Sequence, residues 1–254
     1  MADIRIENCL DTMKGMASES VDLVVTSPPY FNARAYSQYS DYENYLAEMH
    51  TIFERLTPLV AEGRFLIVNS SPIIIPREKR SDSSKRYPIP YDLHNIIQKL
   101  GWDFIDDIVW VKPEPSVKNR VAGFGQHRKP LAYKPNAVTE MVMVYRKQTD
   151  RLIDWNIRKY SAEVVERSLV SDGFESTNVW QIAPQRHKIH SAVFPLELAE
   201  KLINYYSFVG DLVYDPFTGS GTTGLAAKKL GRKFIGSEIS ADYAQVAIER
   251  IDNG

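Results

Sequence analysis

The chain has 254 residues, 44% hydrophobic and 25% charged, with one cysteine, Cys9, and a formal net charge of −1. Such a composition indicates a globular protein of one large domain and excludes collagen-like, disordered and disulfide-stapled classes. The five histidines form no HExxH pair, so no metal site is expected. No signal peptide is recognisable and no apolar run approaches the ~20 residues that span a bilayer, so we expect a soluble, cytoplasmic protein.

The net charge conceals an uneven distribution along the chain. Residues 77–160 contain seventeen Lys or Arg and ten Asp or Glu, a net charge of +7, whereas the rest of the chain carries −8. A basic middle in an acidic frame predicts contact with a polyanion in that region. The alternative is a solvated surface whose charges cancel in space.

Strands and helices are predicted to alternate along the chain. Nearly continuous apolar runs predict buried strands over residues 21–26, 64–69, 104–111, 140–146, 211–214 and 233–236. Helical spacing predicts helices over residues 41–59, with Gly63 as a stop, 91–100, 162–169, 195–208, from after 224 to 230, and 242–251. This alternation indicates an α/β fold with a doubly wound, mainly parallel sheet.

Three segments lack such periodicity. Residues 76–90 are polar and basic, which indicates a surface loop. Residues 112–135 combine Pro, Gly, Lys and Arg, and a loop of this length is unusual unless it has a function. Residues 149–178 are polar and irregular around the short helix. Among the lone aromatic residues, Trp155 and Trp180 are expected in the core.

The strongest motif is DPFTGSGTTG, residues 215–224, between a predicted strand and a helix. Its small residues let the backbone approach a ligand, and the helix N-terminus adds partial positive charge. It is not a P-loop, because no Lys-Ser or Lys-Thr follows the last glycine. Asp215 would repel phosphate, which favours a ligand with an amino group. Glu238, ending the next strand, occupies the position of a carboxylate that grips both ribose hydroxyls.

A second motif, Thr26-Ser27-Pro28-Pro29-Tyr30, follows the strand at 21–26. Two prolines end the strand and form a stiff loop with exposed carbonyls. A hydroxyl and a carbonyl can accept hydrogen bonds from an amino group, and Tyr30 can stack on a flat ring. Alone, the motif could also be a simple strand terminator.

Together the two motifs resemble those of the amino-group DNA methyltransferases, which methylate cytosine N4 or adenine N6 with S-adenosylmethionine. That family has a (Ser/Asn/Asp)-Pro-Pro-(Tyr/Phe) catalytic loop and a DPFxGSGTT cofactor loop. The Ser form resembles the N4-cytosine branch, and N6-adenine is the alternative. A catalytic loop that precedes the cofactor loop is similar to the circularly permuted β arrangement. Residues 108–113 (IVWVKP) and 190–195 (HSAVFP) are similar to further family motifs.

The resemblance implies a Rossmann-like methyltransferase fold in a single domain with a small target-recognition insert, for which residues 149–178 are the candidate. Residues 1–111 would form the catalytic half, 112–178 the DNA-contact loops with the insert, and 179–254 the cofactor half. The implied catalytic residues are Ser27, Pro28, Pro29 and Tyr30. The implied S-adenosyl-L-methionine site comprises Asn8, Phe194, Asp215, Phe217, Thr218, Gly219, Ser220, Gly221, Thr222 and Glu238.

The implied reaction is direct methylation of a base flipped out of duplex DNA, with its amino group held by Ser27 and the Pro28 carbonyl and its ring on Tyr30. The C5-cytosine alternative needs a nucleophilic cysteine, but Cys9 precedes the catalytic strand and follows no proline. An oxidoreductase would need a GxGxxG motif, and a non-catalytic nucleic-acid binder would not be expected to keep both motifs intact.

Phosphate contacts are expected from basic residues of the two long loops. They are Lys79, Arg80, Lys85, Arg86, Lys118, Arg120, Arg128, Lys129 and Lys134. The expected partner is double-stranded DNA, with a cognate restriction endonuclease left open. A monomer and a homodimer both remain open, in a prokaryotic or phage setting near the nucleoid.

Overall fold

The computed structural model describes residues 2–32, 39–75, 85–117, 130–131, 133, 135–170, 174–184 and 195–254. The strands are β1 Ala2–Arg5, β2 Val21–Thr26, β3 Val60–Ser70, β4 Ile73–Ile75, β5 Lys85–Tyr87, β6 Trp102–Val111, β7 Thr139–Lys147, β8 Val179–Gln181, β9 Leu212–Asp215 and β10 Lys233–Ser237. The α-helices are α1 Cys9–Lys14, α2 Tyr42–Leu56, α3 Ile89–Lys99, α4 Ile153–Ile157, α5 Ala162–Arg167, α6 Leu196–Tyr206, α7 Thr222–Lys229 and α8 Ala241–Asn253.

Eight strands form one sheet in the order β1-β10-β9-β2-β3-β7-β6-β8, and β4 pairs with β5 in a separate antiparallel hairpin. Strand β7 runs antiparallel to β3 and β6, and every other pairing in the large sheet is parallel. The first strand lies beside the last, with Ala2 opposite Phe234. The predicted mainly parallel, circularly permuted α/β fold is therefore confirmed.

Each face of the sheet has its own apolar core, which explains why the parallel strands are apolar throughout. On one face, α2 contributes Tyr45, Met49 and Phe53, which repeat at helical spacing. On the other, α6 and α7 contribute residues such as Leu202 and Ala226. Because helices cover both faces, a strand such as β2 has no solvent side and no alternation of polar residues.

The structure differs from the sequence predictions at several short elements. Helix α2 ends at Leu56 and a 3-10 turn, Thr57–Leu59, follows it; Gly63 does not stop the helix but lies inside β3 with φ of +71°. Part of the expected loop 76–90 is strand β5, and α3 starts at Ile89. The short elements β1, α1, α4 and β8 were not predicted, because each is too short for a clear period.

The two tryptophans expected in the core differ from each other. Trp180 is 3% exposed and packs in the core beside α6, as predicted. Trp155 on α4 is only partly buried, and the cations of Arg151 and Lys159 lie 5.6 and 3.5 Å from its ring centre. Trp155 is therefore a cation–π platform outside the core clusters, not a core residue.

Candidate active site at the carboxyl edge of the sheet

The two sequence motifs meet at the point where the winding of the sheet reverses. From β9 the chain continues to β10 on one side, and from β2 to β3 on the other, while β9 and β2 are themselves neighbours. Ligands of doubly wound sheets bind in the crevice at the carboxyl ends of such strands. Thr26 Oγ1, at the end of β2, donates a 2.7 Å hydrogen bond to Asp215 Oδ1, at the end of β9.

Asp215 is a buried carboxylate held by neutral donors. Besides Thr26, the Phe217 amide donates to Oδ1 at 3.0 Å and the Thr223 hydroxyl to Oδ2 at 2.8 Å. Burial raises the pKa of Asp215 to about 6, although these three hydrogen bonds favour the charged form. The parts of the chain that the structure describes bring no Lys or Arg within ion-pair distance of it. Asp215 is thus largely ionised at pH 7 without a cation of its own.

The glycine loop is shaped by two residues in the left-handed region. Gly219 and Gly221 have φ of +52° and +78°, which favours glycine strongly. A Cβ on Gly221 would also lie 2.8 Å from the Ala247 side chain of α8. The loop is tied to Glu238, whose Oε2 accepts from the Gly219 amide at 2.9 Å and whose Oε1 accepts from the Ser240 amide at 2.8 Å. Burial raises the pKa of Glu238 above its ordinary value.

The other predicted cofactor residues divide into two groups. Thr218 is buried, and its hydroxyl donates to the Asp215 carbonyl. The hydroxyls of Ser220 and Thr222 are engaged by Arg250 of α8, at 3.4 and 2.8 Å. Their side chains therefore support the loop from behind, and a contact with the cofactor from these residues stays a prediction.

Two predicted residues lie on the adenine side. Asn8 follows β1 at the same edge of the sheet and caps α1, with its Oδ1 accepting from the Leu10 amide at 2.9 Å. Phe194 lies outside the described residues. Sequence reasoning missed Ile239, which is 74% exposed directly after Glu238 and offers an apolar surface for a flat ring. The signal was present, since an apolar residue following a strand-terminal acid has no structural need to be exposed.

The Ser27–Tyr30 loop opens on the opposite side of the same crevice. Pro28 is buried, and Ser27 and Tyr30 are partly buried. Tyr30 donates its hydroxyl proton to Glu140 Oε2 at 3.0 Å. Burial and the charge of Glu140 raise the pKa of Tyr30 well above its ordinary value, so the hydroxyl stays protonated.

Three residues behind this loop were not predicted. Asn69, at the end of β3, donates Nδ2 to Glu140 Oε2 at 2.7 Å and to Ser27 Oγ at 3.4 Å. Lys112, just beyond β6, donates to Glu140 Oε1 at 2.8 Å. A cleft of about 320 Å³ opens beside them, lined by Tyr30, Lys112, Glu140 and the β4 strand among others. In the sequence, only the polar ends of the apolar runs at 64–69 and 140–146 indicated these positions.

The predicted DNA-contact residues can be placed only in part. Lys85 and Arg86 are exposed on β5, whose partner strand β4 lines the cleft. The remaining basic candidates, Lys79, Arg80, Lys118, Arg120, Arg128, Lys129 and Lys134, lie outside the described residues. The two described basic side chains therefore stand on the catalytic edge of the sheet.

The candidate recognition insert, residues 149–178, is attached elsewhere. Thr149 and Asn156 bond Glu62, near the start of β3, and Tyr160 bonds Asp211, just before β9. These contacts place its first half at the amino edge of the parallel strands, away from the catalytic loop. A recognition role for the insert stays a prediction, and this location does not support it.

Metal ligands and membrane helices were also searched for in the described part of the chain. There, His, Cys, Asp and Glu form no group of three that could hold a metal ion. No described helix has the length and apolar character to cross a membrane.

Residues 21–249 match the family model of N6/N4 DNA methylases, and the chain therefore belongs to this DNA methylase family. M.BamHII, an orphan methyltransferase of Bacillus amyloliquefaciens, is 30% identical over 253 residues, covering 92% of this chain and 89% of its own. The type II beta methyltransferase M.BslI of Bacillus sp. strain NEB-606 is 28% identical over 249 residues, covering 94% of this chain and 26% of that protein. The chain thus spans about a quarter of that relative.

A solved structure agrees in fold. The DNA modification methylase TTHA0409 of Thermus thermophilus, complexed with S-adenosyl-L-methionine, aligns with a TM-score of 0.80 at 29% identity, over 100% of this chain and 94% of that one. The Rossmann-like methyltransferase fold and S-adenosyl-L-methionine as the methyl donor of the family are thereby confirmed. The family includes both N6 and N4 enzymes, so membership does not choose the base.

Proposed function

We propose that the protein methylates the exocyclic N4 of a cytosine flipped out of duplex DNA at a specific sequence. The observation that carries this proposal is the hydrogen bond between Thr26 and Asp215, which joins the Ser-Pro-Pro-Tyr loop to the glycine loop. A methyl donor beside Asp215 and an amine beside Ser27 would share one crevice. Direct transfer needs mainly this proximity and alignment.

The cofactor half suits S-adenosyl-L-methionine residue by residue. Asp215, a carboxylate without a cation among its described neighbours, matches the positively charged methionine end. Glu238 is fixed by the Gly219 and Ser240 amides and matches the ribose hydroxyls, and Ile239 matches the adenine ring. When bound there, the cofactor supplies a methyl group on a sulfonium, which is an electrophile that needs no metal.

The catalytic half suits an amine and not a nucleophilic serine. The amide of Asn69, which contacts Ser27, cannot take up a proton, so Ser27 is not activated for covalent attack. As a hydrogen-bond acceptor, together with the Pro28 carbonyl, Ser27 would draw electron density back onto the amino nitrogen. Tyr30 would hold the flipped ring by stacking. The base is assigned as cytosine because Ser stands where the N6-adenine branch has Asp or Asn.

Duplex DNA would lie along the catalytic edge. Lys85 and Arg86 stand there on β5, beside the cleft, and they belong to the segment with a net charge of +7. We assign the first phosphate contacts to this hairpin. A partner restriction endonuclease remains a proposal as well, since the similar proteins include both a type II enzyme and an orphan.

The test is to identify the modified base and its sequence context together. Plasmid DNA from cells expressing the wild-type chain is digested to nucleosides for mass spectrometry and sequenced by a method that detects modified bases. N4-methylcytosine in one sequence context, absent with the Ser27→Ala variant, is the expected result. N6-methyladenine would replace the base assignment and leave the mechanism intact, whereas unmodified DNA would contradict the proposed function.

A further inference from the structure

The hydrogen bonds behind the catalytic loop converge on one carboxylate. Glu140 Oε2 accepts from both the Tyr30 hydroxyl, at 3.0 Å, and Asn69 Nδ2, at 2.7 Å, while Oε1 accepts from Lys112 at 2.8 Å. The side chains of Lys112 and Glu140 are 16% and 15% exposed, so this is a partly buried ion pair. Glu140 lies on β7, two strands away from β2, and makes no covalent or loop connection to the motif it supports.

An ionised carboxylate can only accept, and this fixes the direction of the neighbouring hydrogen bonds. Tyr30 and Asn69 must both donate to Glu140. The second proton of Asn69 Nδ2 is then directed to Ser27 Oγ, at 3.4 Å. With its proton committed to Glu140, the Tyr30 oxygen can accept from Ser27, and a hydrogen bond from Ser27 to Tyr30 favours the ionised tyrosine, as expected for a donor.

The inventory of the Ser27 hydroxyl then has one vacancy. A hydroxyl has one proton and two lone pairs. The proton is directed to Tyr30 and one lone pair to Asn69, which leaves one lone pair for a group in the crevice. That group must be a donor. An exocyclic amine is a donor, whereas the carbonyl oxygen at the same position of uracil or thymine is not.

We propose that Glu140 is a positioning residue that, through Tyr30 and Asn69, fixes Ser27 as a hydrogen-bond acceptor and so makes the site select an amino group over a carbonyl. This inference rests on the proposed methyltransferase function but not on the choice of cytosine over adenine. Lys112 holds the carboxylate in place from its other oxygen. The ring of Tyr30 keeps its separate role in stacking.

The test uses two near-isosteric variants, Glu140→Gln and Tyr30→Phe, and their double variant. The glutamine amide can donate as well as accept, and phenylalanine keeps the stacking ring without the hydroxyl. Each single variant is expected to lower kcat by about 10- to 100-fold, with little change in KM for DNA or in cofactor affinity. Because both break the same chain of bonds, the double variant should lose little beyond either single one.

A binding measurement separates this role from a general structural one. Each protein is titrated with a duplex carrying the target base and with one carrying the matching carbonyl base, uracil for cytosine or hypoxanthine for adenine. The wild type should prefer the amine, and Glu140→Gln and Tyr30→Phe should both lose most of that preference; comparison between proteins cancels the difference in base-pair energy.

Three results would overturn the inference: wild-type kcat in Tyr30→Phe, fully multiplicative losses in the double variant, or an unchanged preference for the amine in Glu140→Gln. Unchanged cofactor affinity shows that each variant is folded, and Tyr30→Phe keeps the test valid if Glu140→Gln does not fold. Failure of the wild type to methylate any DNA would instead contradict the proposed function.

Discussion

Two buried aspartates at opposite ends of strand β9 have opposite surroundings. Asp211 and Asp215, just before and at the end of the strand, are both 4% exposed. At the amino edge, Asp211 pairs with Arg64 and accepts from the Tyr160 hydroxyl and the Phe208 amide. At the carboxyl edge, Asp215 has only neutral donors among the described residues.

The difference separates a structural carboxylate from one reserved for a ligand. A buried charge must be compensated, and within the described chain only Asp211 has a cation to do so. For Asp215, burial raises the pKa to about 6, which is the cost of leaving that position open. The amino edge therefore stabilises the fold, with the first half of the 149–178 insert attached to it, and the carboxyl edge is arranged for cationic and nucleic-acid ligands.

The largest effect is expected at the amino edge. Arg64→Met leaves Asp211 buried without its cation and should lower the free energy of unfolding by about 3–5 kcal/mol, measured by urea denaturation. Arg167→Met removes an arginine from a mostly exposed ion pair with Glu163 and should change it by less than about 1 kcal/mol. Equal losses in the two variants would mean that the buried cluster is not special.

The two ends of β2 offer a matched pair of serines for the catalytic claim. Ser27→Ala removes the acceptor for the target amine and should lower kcat by about 100-fold or more, with unfolding free energy and cofactor affinity nearly unchanged. Ser20→Ala, just before the strand, removes only a hydrogen bond to the Ala17 carbonyl and should leave kcat unchanged. A Ser27→Ala variant with wild-type turnover would remove Ser27 from the mechanism.

Charge removal distinguishes the two edges as DNA surfaces. Replacing Lys85 and Arg86 by alanine should reduce the slope of log affinity for duplex DNA against log salt by up to ~2 units. Replacing Arg158 and Lys159, which are exposed beside the amino edge, should leave that slope unchanged. If the second variant shows the larger reduction, DNA lies on the insert and not on the catalytic edge.

The fold was largely predictable because parallel strands covered on both faces are continuous apolar runs. Val21–Thr26 is an example, and its predicted bounds are those of β2. The edge strands β1 and β8 were not predicted, because a segment of three or four residues acquires its structure from the neighbouring strand and carries no period of its own. The β4–β5 hairpin escaped prediction for the same reason.

The candidate site was predictable only where its residues form motifs. The neighbourhood of Ser27 and Asp215 follows from two loops at the ends of adjacent strands. Glu140, in contrast, reaches Tyr30 across a sequence separation of 110 residues, and only the register of β7 against β3 brings it there. A single acid before an apolar run carries no sign of its partners.

The most direct test of the account is the pH dependence of S-adenosyl-L-methionine affinity between pH 7 and pH 5. With the pKa of Asp215 at about 6, the carboxyl is mostly ionised at pH 7 and mostly neutral at pH 5. Calorimetry should therefore show affinity falling by about tenfold as the pH is lowered, if the ligand's cation needs the charged form. Glu238→Gln should bind more weakly but keep that fall. A flat wild-type profile, or loss of the pH dependence in Glu238→Gln, would contradict the role of Asp215.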